Sequence, residues 1–309
     1  MTWVKGGLTM IKNYFSVGEA NHINNMNKEA QNVQLGSAVR TALMGDIGWK
    51  DDERYYVDGI NGLDTQANDQ GKSIDKAFKT IQYAANVARL VPGTASVATN
   101  KDRRKYIFIM PGQYNERVTC VGNNISFIGL GQKSGGNYGV IINFNNAIAA
   151  TAVVSLTGEG LQLINLTISC NQAIPIVLIN ATSRGILISG CWIKGIVAKT
   201  PTIGISCKMD DSVIEDNVIF GCATGIDVAA AAQFTNVIVR RNKLTTVTDG
   251  IALANTCVPD NSEISENKVV GSTSSIVNGE NTDVIITDNM VKPVETDAGS
   301  TSGNNTTLA

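Results

Sequence analysis

The chain has 309 residues, of which 17% are charged, and its 25 basic against 27 acidic side chains leave a formal net charge of -2 with a pI near 5.5. Lys and Arg do not gather into a stripe, which excludes the electrostatic footprint of a nucleic-acid binder. One histidine, His22, and the lack of HExxH, CxxC, P-loop, GxSxG or EF-hand spacing exclude serine-hydrolase and metalloenzyme chemistry and imply no cofactor.

Residues 1–52 read as an N-terminal arm. The polar run Glu19 to Gln34 precedes Leu35, Val39, Leu43 and Met44, a pattern suited to a helix or extended segment that packs on a partner. The start, MTWVKGGLTMIKNYF, has neither a basic n-region nor a continuous apolar h-region, and nowhere do 18 apolar residues run together. The expectation is a chain made in the cytoplasm, soluble, unprocessed and without a membrane partner.

Residues 53–105 read as a leading segment with a capping helix. Gly and Asp in DGINGLDT and NDQGKS mark turns, after which Ile81, Ala84, Ala85 and Ala88 recur at i, i+3, i+4 and i+7, describing one amphipathic helix ended by Pro92-Gly93. YIFIMPGQYNERV, residues 106–118, follows as the first coil strand and its turn. The motifs VDGxNGxDT, NDxGKS, AFKTIQYA and IxIMPGxYNE resemble the leading segment of the pectate-lyase-like family of right-handed parallel β-helices. The resemblance covers about residues 55–292. It implies that architecture and brings no catalytic residue. In bacteriophage proteins such a segment commonly follows a short virion-binding arm, so the resemblance implies virion attachment through residues 1–52.

NISFIGLG, residues 124–131, gives a further strand with Phe127 and Leu130 expected in the core. The step from Leu130 to Leu166 is longer than a coil and predicts an insertion within QKSGGNYGVIINFNNAIAATAVVSL. From Leu161 to Val291 the chain repeats itself six times. One column reads Leu166, Cys191, Asn217, Asn242, Asn267, Asn289, at steps of 25, 26, 25, 25 and 22. Three positions earlier stand Leu163, Ile188, Ile214, Val239, Ile264 and Ile286, and two later Ile168, Ile193, Ile219, Leu244, Val269 and Val291. An inward set at a spacing of two is a strand pattern. The pairs Gly204-Ile205, Gly225-Ile226, Gly250-Ile251 and Ser275-Ile276 mark a second strand in each unit. Short strands at this period must stack to bury their apolar side, so the predicted fold is an all-β right-handed parallel β-helix over residues 106–292. Asn217, Asn242, Asn267 and Asn289 are then a stacked structural ladder, placed at a corner where Asn tolerates the left-handed conformation. Residues 293–309 turn polar without periodicity and read as a tail. The six cysteines, Cys120, Cys170, Cys191, Cys207, Cys222 and Cys257, read as small buried hydrophobes.

Chemistry has one candidate. The column just before the asparagines holds Asp216, Arg241 and Glu266, with Glu215 beside Arg240. Two coils separate Asp216 from Glu266, about 9.6 Å, near the upper limit for an inverting glycosidase pair. The alternating sign is, however, that of an exposed charge ladder, and an Arg between two carboxylates lowers both their pKa values where a general acid needs one raised, so the ladder is the preferred reading and the catalytic pair the alternative. Partner contacts leave another trace. VIIN (140–143), AIAATAVV (147–154) and IPIVLIN (174–180) are apolar at consecutive positions, so Ile142, Ile176 and Leu178 are expected to meet sibling chains. Phage β-helix proteins usually close three-fold, so the resemblance implies a homotrimer. The leading functional expectation is a non-enzymatic capsid decoration or head or tail spike, bound to other virion proteins. The alternative is a tailspike-type depolymerase cleaving a host surface glycan; a third is a glycan-binding module.

Overall fold

The computed structural model describes residues 54–65, 69–90, 104–131, 139–144, 151–180, 183–195, 203–228, 233–245, 248–254, 258–270, 274–278, 284–291, 295–296, 301–303 and 306–307. The proposed arm, His22, Pro92-Gly93 and Cys257 lie outside them. The rest winds into three long parallel sheets, with two further two-stranded ones, confirming the parallel β-helix. The first sheet has ten strands in chain order: Arg54–Val57, Lys105–Ile109, Ile125–Gly129, Gln162–Ile164, Leu187–Ser189, Val213–Glu215, Ile238–Arg240, Ser262–Ser265, Val284–Thr287 and Thr301–Gly303. The second has nine, from Gly112–Tyr114 to Thr306–Thr307, and the third has eight, from Val118–Val121 to Glu295–Thr296. No helix among the described residues is long and apolar enough to cross a membrane.

The repeat predicts the register. Ile188 pairs with Ile214, Ile214 with Val239, and Val239 with Ile264. In the second sheet Ile193, Ile219, Leu244 and Val269 stack in turn. Ile205, Ile226, Ile251 and Ile276 do so in the third. All twelve have zero exposure, so the core is a column filled from three sides. Each such side chain contributes roughly 1.5–3 kcal/mol by leaving water. The glycines ahead of the third-sheet isoleucines follow from this closeness. A Cβ on Gly225 would meet Leu244 Cδ2 at 2.4 Å and the Gly250 carbonyl at 2.6 Å.

Helix Ile81–Ala88 forms where predicted, with Ile81, Ala84, Ala85 and Ala88 all buried and Thr80 capping it by accepting from the Tyr83 N–H. The helix stands where the third sheet would otherwise expose its first edge. Gln82 accepts from the Thr119 N–H (2.6 Å) and donates to the Thr119 carbonyl (3.0 Å), as a neighbouring strand would. The turn motifs ahead of it are equally physical. Asp58 accepts from the Ile60 and Asn61 N–H groups, and Asp64 accepts from the Lys79 and Thr80 N–H groups and the Thr80 hydroxyl.

Four expectations need correction. The coil begins at Arg54–Val57, which pairs with Lys105–Ile109, rather than at residue 106, because a short strand between turn signals has no visible period. The polar tail also coils: Thr301–Gly303 pairs with the first sheet and Thr306–Thr307 with the second. An existing strand edge templates backbone bonding whatever the side chains. Leu130 is 43% exposed, outside the core, whereas Phe127 is buried. Finally, Ile142 and Ile176 point inward and are buried within this chain, so they are not lateral contacts. Ile142 occupies the core column above Ile168. Ile176 sits at the corner before strand Val177–Ile179, where two successive side chains both turn into the core. Of the three, only Leu178 faces outward, half-buried.

Candidate functional site

Each coil turns a corner between the first and second sheets, and that corner positions both the ladder and the charged column. Asn217, Asn242, Asn267 and Asn289 are fully buried. Asn242 shows why they can be. Its Oδ1 accepts from the Asn217 N–H and from Asn217 Nδ2, while its Nδ2 donates to Asn267 Oδ1 and to the Ile214 carbonyl. Every polar atom of the amide is satisfied, which burial requires. Cys191 ends the ladder: its N–H donates to Asn217 Oδ1 at 2.8 Å, and its thiol donates to the Leu163 and Ser189 carbonyls. Burial pushes the thiols of Cys120, Cys191 and Cys222 up to about 12, which suits inert packing residues.

The asparagines are not the left-handed residues. Positive φ falls one position earlier, on Asn165, Gly190, Asp216, Arg241, Glu266 and Asp288, at 52–65°. This is the column proposed for catalysis. A second left-handed column, Asn124, Gly160, Gly185, Asp211, Asn236 and Asn261, turns the chain into the first sheet. The sharp corner frees the next residue to aim inward, where the amide stacks.

The structure brings Glu215, Asp216, Arg241 and Glu266 together. Arg241 Nε meets Asp216 Oδ1 at 2.9 Å and Nη2 meets Asp216 Oδ2 at 3.0 Å, a bidentate pair. Nη2 also donates to Glu215 Oε2 at 2.8 Å, and Nη1 lies 3.9 Å from Glu266 Oε2. Arg240 Nε reaches Glu215 Oε2 at 3.0 Å. The hydrogen bond from Arg241 holds the Asp216 carboxyl below its usual range despite the opposing effect of burial. A general acid needs the reverse shift. With 48% and 56% of their side-chain surface exposed, Asp216 and Glu266 also have no dry cleft around them. The arrangement can hold two coils in register and tie a corner.

The carboxylate that sequence reasoning missed is Asp227, on the outer face of the third sheet. Burial alone pushes its carboxyl up. It stands in register with Ser206 on one side and Ala252 on the other. No second carboxylate adjoins it in that column, so the pair that glycoside cleavage requires is not assembled there. A raised pKa in a strand position leaves no mark on the 25-residue repeat. Among the described residues, no group of three or more His, Cys, Asp or Glu side chains is placed to hold a metal ion.

No protein-family model and no curated protein matches the chain. Its fold is similar to solved structures of pectin methylesterases, which are parallel β-helix proteins. The enzyme of Aspergillus niger matches at 13% identity and a TM-score of 0.46, covering 82% of this chain and 85% of its own. The rice weevil enzyme matches at 14% and 0.46, covering 84% and 83%. PemA of Erwinia chrysanthemi matches at 13% and 0.45, covering 80% of each chain. Identities this low speak to fold and not to activity.

Proposed function

We propose that the chain is a non-enzymatic structural protein of a bacteriophage virion, a homotrimeric capsid decoration or head or tail spike attached to other virion proteins through residues 1–52. The observation that carries the assembly is on the outer face of the first sheet. There Leu187, Val213 and Ile238 lie in one column, followed by Glu263 and then by Ile285, which is 54% exposed. Toward the N-terminal end Tyr56, Phe108, Ile128 and Ile164 form a separate apolar column around the stacked rings of Tyr56 and Phe108, and that column passes on to Ser189 and Glu215. Identical solenoids packed side by side cover such a strip economically. Against catalysis stand the bidentate engagement of Asp216 and the isolation of Asp227. The virion attribution rests on the sequence resemblance of residues 55–118.

Sedimentation of the purified chain tests the assembly: a trimer is expected, and a stable monomer at micromolar concentration overturns it. Removing residues 1–50 is expected to leave the solenoid folded and abolish incorporation into particles. A reducing-sugar assay on host capsule that rises with enzyme concentration would favour the depolymerase reading instead.

A further inference from the structure

Every contact in a closed ring of three copies is heterologous, so no face can be set against itself. The apolar strip on the first sheet must then be covered by a different face of the same chain. The third sheet presents Asp227 and Asp249 outward, and the strip itself carries an acid, Glu263, between Ile238 and Ile285. Like charges set opposite one another repel. The second sheet has the other sign: none of its described outward positions between Gln113 and Met290 is Asp or Glu, while Lys194, Lys243 and Lys268 are lysines. The two arginines at the corner of the first sheet are matched where they stand, Arg240 by Glu215 and Arg241 by Glu215 and Asp216. Among the described residues no ion pair reaches Glu263, Lys243 or Lys268, and the two exposed lysines stand in register on adjacent strands, where they repel.

Only Arg241 and Asn242 separate strand Ile238–Arg240 from strand Lys243–Thr245, so the first and second sheets share a corner. A ring built around that corner turns the first sheet of each copy toward the second sheet of the next. Copies related by an axis along the solenoid sit at one height, and each coil meets its own counterpart. Leu187 and Trp192 share a coil, as do Val213 and Val218, Glu263 and Lys268, and Ile285 and Met290. Apolar residues thus fall level with apolar ones and the acid falls level with a lysine. Ile285 and Met290, 54% and 40% exposed, leave two large apolar side chains in water on one coil, one on each face. The coil of Ile238 and Lys243 is the exception, yet Lys243 lies only one coil, about 4.8 Å, from the level of Glu263.

We propose that each copy covers the first-sheet strip of the next with the outer face of its own second sheet, coil level with coil, and that Glu263 pairs with Lys268 of the partner subunit. The inference rests on the trimer reading and adds to it which two surfaces meet. Burial of Leu187, Val213 and Ile285 against Trp192, Val218 and Met290 holds the copies together, and the acid and the lysine fix their relative height.

Sedimentation of the full chain over a range of concentrations tests this, with far-UV circular dichroism to show that each variant keeps the solenoid. Glu263→Lys and Lys268→Glu should each raise the concentration at which the trimer dissociates by about tenfold or more. The double variant Glu263→Lys/Lys268→Glu restores opposite signs across the contact and should assemble as the wild type does. Val218→Glu, on a face that a contact confined to the first sheet would leave in water, should dissociate the ring as well. A wild-type chain that sediments as a monomer overturns the trimer and this inference with it. A trimeric wild type overturns the pairing of faces alone if the single charge reversals assemble unchanged, if the double variant is no better than either single one, or if Val218→Glu remains a trimer.

Discussion

Asn217 commits two hydrogens to one oxygen of Asn242: its backbone N–H at 3.1 Å and its Nδ2 at 3.0 Å both donate to Asn242 Oδ1. Neither donor sees water, so the acceptor cannot be replaced from solvent. Asn242→Leu keeps the branched side-chain shape and removes the acceptor. It orphans two buried donors at about 1–3 kcal/mol each, and a loss of about 3 kcal/mol is expected from the urea midpoint. A loss under about 1 kcal/mol would mean that the ladder relaxes around the gap and does not hold the coils.

Glu266 stands at φ 55° and reaches Arg241 only at 3.9 Å, so its backbone strain outweighs its ion pair. Left-handed backbone is unfavourable by roughly 1–2 kcal/mol for a residue with a Cβ, and the entropy of an unfolded glycine offsets about half. Glu266→Gly should therefore be neutral or stabilising by up to about 1 kcal/mol, as Gly190 in the same column already suggests. Glu266→Val should destabilise by about 1–2 kcal/mol. A glycine variant that unfolds sooner than the wild type would show that the carboxylate matters more than the turn.

The ladder and the charged column also show where sequence stops being informative. A period of 25 fixes which residues stack, because stacking is a matter of counting. It does not fix which of two adjacent residues takes the left-handed turn: Asn, Gly, Asp, Arg and Glu all occupy that column, and the uniform asparagines next to it draw the eye. The direction of Ile176 depends on where the corner falls, one residue before strand Val177–Ile179, and consecutive apolar residues look the same whether one faces out or both turn in. Asp227 acquires its raised pKa from burial against neighbouring coils, which no local motif encodes.

Two carboxylates should respond to pH with opposite sign. Glu116 accepts from the Ile81 and Gln82 N–H groups at the start of the capping helix, yet burial dominates and raises its pKa. Its contribution to stability is thus full below the unfolded value of about 4.3 and declines as pH rises through the folded value. Asp216, lowered by Arg241, contributes above its unfolded value of about 3.9, and that part is lost as pH falls through the folded value. Thermal midpoints of Glu116→Gln should vary less than wild type between about pH 4 and 7, and those of Asp216→Asn less below about pH 4. Identical profiles for wild type and Glu116→Gln would place the helix cap outside the pH response.

Gln82 closes the exposed edge of the third sheet with a side chain acting as a strand, so its loss should open the cap before the coils. Gln82→Leu leaves the Thr119 N–H and carbonyl without the partners they have at 2.6 and 3.0 Å, a penalty of about 1–3 kcal/mol at a half-buried site. Because the helix meets only the first coils, hydrogen exchange should quicken at Thr119 and across Ile81–Ala88 while the core around Ile214 and Val239 stays protected. Gln82→Glu keeps an acceptor for the Thr119 N–H but turns a carboxylate oxygen toward the Thr119 carbonyl, so it should protect the helix better at low pH, where the acid can donate, than at neutral pH. Exchange that accelerates equally in the cap and in the coils would instead mean that the solenoid opens as one unit.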